Sequence, residues 1–157
     1  MSVQFDEKDL GWKAFVNEVK KLDKNPYTKI GIQQDENHPE DGESLLIIAS
    51  SNEFGTHDGR IPERSYMRST HDENKRLITS MVDRGYDSII AGKSTVKTVL
   101  SQIGAVFKGK VQKKMVDLTS PPNAESTIKR KGSSNPLIDT GFLRQSIKDK
   151  VVMEGDK

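Results

Sequence analysis

Apolar residues in the first part of the chain recur with a helical period. Trp12, Phe15, Val16, Val19 and Leu22 follow i, i+3, i+4, i+7 spacing, the stripe of an amphipathic helix that faces a core. Asp6 is placed to cap this helix, Asp9 puts negative charge in its first turn, and Asn25-Pro26 stops it. Residues 27–34 alternate as a strand, with Tyr27, Ile30 and Ile32 as apolar members, and Gly31 marks a bulge or a close backbone approach. Residues 35–43, polar and containing Pro39 and Gly42, read as an exposed loop that stays mobile until it docks. Periodicity does not separate strand from helix in Leu45-Leu46-Ile47-Ile48-Ala49, but Ser44 is a ready cap, so a short helix is expected.

Gly55 and Asp58-Gly59 are turn signals, and Ile61-Pro62 reads as extended. Residues 52–68 therefore form an arm anchored by Phe54 and Tyr66, with Arg60, Arg64 and Arg68 at a spacing of four. A long helix begins near Thr70 and carries Leu77, Ile78, Met81, Val82, Tyr86, Ile89 and Ile90 on one face. Ala91-Gly92-Lys93 breaks it, and Ser94 can cap a second long helix running from Val96 to about Leu118. The second helix has Lys97, Lys108, Lys110, Lys113 and Lys114 opposite its apolar face. Two such helices with a short break form an antiparallel pair. Pro121-Pro122-Asn123 ends the pair, and residues 123–135 read as a polar, basic surface loop, mobile until docked. A turn or short helix over residues 137–146, capped by Asp139 or Thr140, leads into a closing strand over 147–153. The expected fold is α+β: one domain over residues 1–157, with a small antiparallel sheet packed against an N-terminal helix and the long antiparallel helix pair.

Composition narrows the classes. Hydrophobic residues make up 32% and charged residues 31%, which is lean for a self-sufficient core and suggests long exposed helices, mobile segments or surfaces completed by a partner. No cysteine is present, which excludes disulfides, thiolate catalysis and thiolate metal sites. No apolar run approaches the roughly 20 residues that span a bilayer, and residues 1–9 are too polar for the core of a signal peptide. A soluble protein made in the cytoplasm, with no membrane partner, is expected. The net charge of +2 hides a division. Residues 1–91 hold 12 Lys+Arg against 17 Asp+Glu, net −5, and residues 92–157 hold 13 against 6, net +7. Such asymmetry suits head-to-tail self-association or an acidic partner, and it suits two solvated faces equally well.

Candidate chemistry is sparse. Asp139-Thr140-Gly141 spells the active-site triplet of aspartic proteases, whose mechanism needs two carboxylates sharing one proton. No second Asp-Thr-Gly or Asp-Ser-Gly exists, and too little chain follows Gly141 to complete a protease domain. Gly92-Lys93-Ser94-Thr95 copies the end of a phosphate-binding loop, but Asp87 stands where the pattern requires glycine. His38, His57 and His71 have no metal-ligand spacing, and no second acid or nucleophile is tied to Glu53 by spacing. No enzyme activity, cofactor or metal is expected. Lys129-Arg130-Lys131 and the lysine face suit phosphate contact, but no interleaved aromatics or groove-reading module accompany them. A DNA-binding or packaging accessory role is the alternative these charges leave open.

Two separated segments resemble one family. Asn52-Glu53-Phe54-Gly55-Thr56 leads after a short turn into Ile61-Pro62-Glu63-Arg64-Ser65-Tyr66-Met67-Arg68. Thr127-Ile128-Lys129-Arg130-Lys131-Gly132 then continues to Pro136-Leu137-Ile138-Asp139-Thr140-Gly141-Phe142-Leu143-Arg144-Gln145-Ser146-Ile147. Both, in this order and divided by a helical region, resemble the neck and tail-completion proteins that join head to tail in tailed bacteriophages, including the Mu-like virion morphogenesis group. The match covers roughly residues 27–153. Glu63 and Ser65 stand where that family has Ala and Pro, and Tyr66 where it has Phe, so the arm lacks one stiffening proline. The resemblance implies a non-catalytic virion protein, made in the host cytoplasm, that forms a hexameric or dodecameric ring as neck, tail terminator or tail completion protein. Its implied partners are itself, the head connector, tail tube or sheath proteins, and non-specifically the DNA in the channel. Candidate assembly residues are Glu53, Phe54, Arg60, Arg64, Tyr66 and Arg68 in the first segment. In the second they are Lys129, Arg130, Lys131 and Arg144.

Overall fold

In the computed structural model, residues 11–33 and 42–155 are described. Helix α1 spans Trp12–Leu22, strand β1 Tyr27–Gly31, α2 Leu45–Phe54 and α3 Met67–Ile90. Then come α4 over Val96–Asp117, α5 over Glu125–Lys131, α6 over Phe142–Gln145 and β2 over Lys148–Val152. The fold is α+β. Helices α3 and α4 form an antiparallel pair, with Lys114 near the end of α4 reaching Glu73 near the start of α3. The early strand β1 meets the last, β2, in an antiparallel ladder that sets Tyr27 against Val152 and Gly31 against Lys148.

This two-stranded sheet lies on α4, and the contact depends on Gly104. A Cβ there would sit 2.6 Å from Thr28 Oγ1 and about 3.2 Å from Asp149 Oδ2, so only glycine lets the ladder come this close. Lys108 holds the same contact by pairing with Asp149. Lys113 and Lys114 are also paired, to Asp117 and Glu73, so much of the expected lysine face is neutralised within the chain.

The main core sits at one end of the helix pair, where α3 begins and α4 ends. It joins Leu45 and Ala49 of α2, Tyr66 before α3, Val111 and Met115 of α4, and Leu137, Leu143 and Ile147 of the closing stretch. Leu143 and Ile147 face inward, at 8% and 2% exposure. The far end is thinner. Ile89, Val96 and Ile103 are buried there, next to an apolar cavity of about 150 Å³ that Leu22 and Val82 help line.

Several local expectations are corrected. Helix α1 has the expected stripe but buries none of its residues, and Trp12 is 69% exposed. It meets α3 and α4 along one edge only, tied at Glu18, whose Oε2 accepts from the Val96 N–H at 3.0 Å. Tyr27 also lies outside the packing, because the pleat turns Thr28 and Ile30 inward instead. Helix α3 begins at Met67, three residues before the expected start. Thr95 rather than Ser94 caps α4: its backbone is extended, and its Oγ1 accepts from the Thr98 N–H.

The expected loop over 123–135 contains α5. Glu125 in its first turn and Lys129, Arg130 and Lys131 in its last complement the helix dipole, and Gly132 closes it in the left-handed region. The charges that suggest an unstructured loop are thus the signature of a short helix. Ahead of it, the Ser120-Pro121 bond is cis. Neither Asp139 nor Thr140 is the cap of α6; that position is Gly141, and Thr140 Oγ1 reaches the Phe142 N–H only at 3.4 Å. The expected cap at Asp6 and most of the 35–43 loop lie outside the described residues. Among the described residues, no helix is long and apolar enough to cross a membrane.

Candidate functional site

The first motif begins inside α2. Asn52 points its Nδ2 back to Ile48 O at 2.8 Å, and its own carbonyl accepts from the Arg64 N–H at 2.7 Å. Gly55, with φ +74°, turns the chain out of the helix. A Cβ on it would lie 2.9 Å from Glu63 N and 3.1 Å from Ile61 O, so the returning segment of the arm leaves room only for glycine. Residues 56–61 close on themselves: Thr56 N–H donates to Ile61 O, Ile61 N–H to Thr56 Oγ1, and Thr56 Oγ1 to Asp58 Oδ1. Burial is not what shapes this loop. Short polar side chains supply the turn, and Asp58 is held below the usual carboxylate range by the Thr56 hydroxyl and the Arg60 N–H.

The loop delivers Ser65 and Tyr66 to Glu53, which is 5% exposed. The Glu53 carboxylate accepts four hydrogen bonds. Oε2 takes the N–H groups of Tyr66 and Met67, each at 2.8 Å; Oε1 takes the Arg68 N–H at 3.0 Å and the Ser65 hydroxyl at 2.9 Å. Helix α3 has no side-chain cap of its own at Tyr66. A carboxylate from another helix does that work, meeting orphan N–H groups where the helix dipole is positive. Tyr66, 2% exposed, then fills the core; burial and the Glu53 charge hold its phenol strongly protonated.

Arg64 joins the first motif to the turn before the second. Its Nε donates to Pro121 O at 2.8 Å, Nη2 to Pro122 O at 3.0 Å and Asn123 Oδ1 at 3.1 Å, and Nη1 to Asn52 Oδ1 at 3.3 Å. It is 4% exposed, and burial pulls its guanidinium below the ordinary value. The planar fork reaches four acceptors on two elements, which an ammonium cannot do.

The second motif is held by two amides. Asn135 Oδ1 accepts from the N–H groups of Leu137 and Ile138, and its Nδ2 donates to Val116 O at 2.8 Å, stapling the segment to the end of α4. Gln112 of α4 donates to Arg144 O and Ile147 O, satisfying carbonyls at the end of α6. These amides carry no periodic or motif signal in the sequence. Only the placement of Asn135 just before Pro136-Leu137 hints at a local turn.

Between the two motif segments opens a cleft of about 350 Å³. Arg60, Arg64, Arg130 and Lys131 line it, with Glu43 and Asp139 as its acidic members. Lys131 Nζ bonds to the carbonyls of Asn135 and Pro136. Burial, with Arg64 and Arg130 nearby and Asp139 pulling the other way, sets this ammonium below its ordinary value. Asn123 Nδ2 is buried and meets no acceptor, because Arg64 occupies its Oδ1 and so fixes the amide's orientation.

The candidate residues therefore divide. Glu53, Arg64 and Tyr66 are buried and spend their polar groups inside the chain, so they build the scaffold instead of offering a contact surface. Phe54 is 63% exposed and anchors nothing; the Arg68 guanidinium lies 5.4 Å over its ring. Arg60, Arg68, Lys129 and Arg130 are exposed, and Lys131 and Arg144 are half-buried. Asp139 is exposed beside the cleft. His57 and His71 are exposed, and His38 lies outside the described residues. Among the described residues, no group of three or more His, Asp or Glu is placed to hold a metal ion. No family model, curated protein or solved structure matches the chain.

Proposed function

We propose that this chain is a structural virion protein of a tailed bacteriophage, forming a homo-oligomeric ring at the head–tail junction as a neck, tail-terminator or tail-completion subunit. The observation that carries the reading is the pair of motifs, 52–68 and 127–147, present in order on either side of a long helix pair. Glu53 and Arg64 tie the first motif to the start of α3 and to the turn at 121–123, and Asn135 and Gln112 tie the second to α4, so both segments are held on the same helix pair.

The distribution of exposed apolar side chains supports a ring. Leu46, Ile47 and Phe54 are exposed on α2, by the start of α3; Trp12, Tyr86 and Ile90 are exposed by its end. A helix of 24 residues separates the two patches by about 36 Å. Two different apolar surfaces at opposite ends are what a heterologous, head-to-tail interface requires. The division of charge between the first and second parts of the chain adds complementary sign.

Mass spectrometry of purified particles tests the reading. The chain is expected in several copies per virion, and removal of its gene is expected to leave heads and tails unjoined. Absence from the particle, or a soluble monomer that binds no tail protein, overturns the proposal.

A further inference from the structure

Four cations, Arg60, Arg64, Arg130 and Lys131, line the cleft between the two motifs against two carboxylates, Glu43 and Asp139, so positive charge is in excess there. Arg64 meets four neutral oxygens and no carboxylate, and Lys131 meets only main-chain carbonyls. Arg60 is paired with Asp58, whereas Arg130 has no ion-pair partner among the described residues. Asn123 Nδ2 adds a buried donor without an acceptor. Ile47, Ile61 and Phe142 give the same cleft apolar walls. Donors and cations in excess beside apolar walls suit a carboxylate presented on an apolar surface.

The complement lies at the other end of the molecule. Asp83, Tyr86, Asp87 and Ile90 stand at i, i+3, i+4 and i+7 on α3, so they share one face, and all four are exposed. Tyr86 is 48% and Ile90 66% exposed, and neither aspartate has an ion-pair partner among the described residues. The cleft is built at the start of α3 and this face lies near its end, so the length of the helix, about 36 Å, keeps the two surfaces of one chain apart. Two copies bring them together.

We infer that the cleft receives the Asp83–Asp87 face of α3 from a second copy, with Asp87 opposite Arg130 and Lys131 and with Tyr86 and Ile90 against the apolar walls. The carboxylate preference stands on the cleft's own chemistry, and the choice of a second copy as donor rests on the ring reading above. The contact is heterologous, so it leaves a free cleft at one end of every open assembly and a free aspartate face at the other.

Sedimentation of the full chain at about 50 mM and about 500 mM salt tests this, because the ionic part of the contact is screened at the higher value. Wild type is expected to self-associate at low salt. Arg130→Glu and Asp87→Lys, both at exposed positions, are each expected to weaken association at least about tenfold, with unchanged circular dichroism. The two changes combined in one chain restore it. An equimolar mixture of the two single variants also recovers association beyond the dimer, since each variant's face carries the charge opposite to the other variant's cleft. Association that ignores both substitutions, a combined variant that stays weak, or a mixture no stronger than either variant alone overturns the inference. A wild-type chain that remains monomeric at low salt also overturns it. The ring reading is decided by presence in the particle and by binding to tail proteins, neither of which these variants measure, so the two can fail separately.

Discussion

Glu53 and Tyr66, thirteen residues apart, are joined by a 2.8 Å hydrogen bond from the Tyr66 N–H to the Glu53 carboxylate, the first of three that α3 directs at that group. One side chain thereby starts a 24-residue helix and fixes its angle to α2. Glu53→Gln turns an acceptor-only group into one that presents a donor to those N–H groups. The substitution is expected to destabilise the fold by about 2–4 kcal/mol. Urea unfolding measures the loss, and amide exchange at residues 66–68 should quicken with it. Glu63→Gln serves as the control: Glu63 pairs with Arg68 at the surface, so the cost should stay below about 0.5 kcal/mol.

Arg64→Lys keeps the charge and loses the fork. The four acceptors on Asn52, Pro121, Pro122 and Asn123 cannot all be reached by an ammonium. A loss of about 2–3 kcal/mol is expected, with the turn at 121–123 opening in exchange measurements. Equal stability of wild type and variant would show that the guanidinium is dispensable there.

What the sequence made legible was periodic or local. The long pair α3 and α4 is visible in its apolar spacing, and the closing strand in its position and composition. Helix α1 was legible as a helix but not in its exposure, because an apolar stripe says nothing about whether enough partner surface exists to cover it. Helix α5 was hidden by its own charges, which fit a surface loop equally well until the complement to the helix dipole is considered. The roles of Glu53 and Arg64 were hidden for a different reason. Each satisfies backbone groups far away in sequence, and no spacing rule encodes a cap supplied by another helix. Both stood out as motif residues, yet their exposure was misjudged, since charged residues are seldom buried unless fully hydrogen-bonded.

Gly104→Ala tests the seat of the sheet on α4. The new methyl would press on Thr28 Oγ1 and on Asp149, and a loss of about 1–3 kcal/mol is expected. Thr28 Oγ1 is buried with no hydrogen-bond partner, so Thr28→Ala removes both the clash and an unsatisfied group. The double variant should therefore recover part of the loss, a non-additivity that a thermal-melt cycle measures. Simple additivity would place the clash elsewhere.

Glu18 gives the far end a pH dependence of known sign. Its carboxyl lies below the ordinary value: burial pushes it up, but Lys21 and the Val96 N–H outweigh burial and stabilise the anion. A depressed folded-state value means that the stabilising contribution is complete above the unfolded value of about 4.3. It is lost as pH falls through the folded value. The melting-temperature gap between wild type and Glu18→Gln should be widest near neutral pH and should close on acidification. A gap that widens below that range would reverse the assignment.

A reconstruction of the neck of intact particles by cryo-electron microscopy, at side-chain resolution, tests the ring most directly. The ring reading predicts repeated density for α3 and α4 around the channel, each subunit showing Glu53 at the start of α3 and Arg64 on the turn at 121–123. A neck and tail fully accounted for by other chains, with no density for this one, would contradict it.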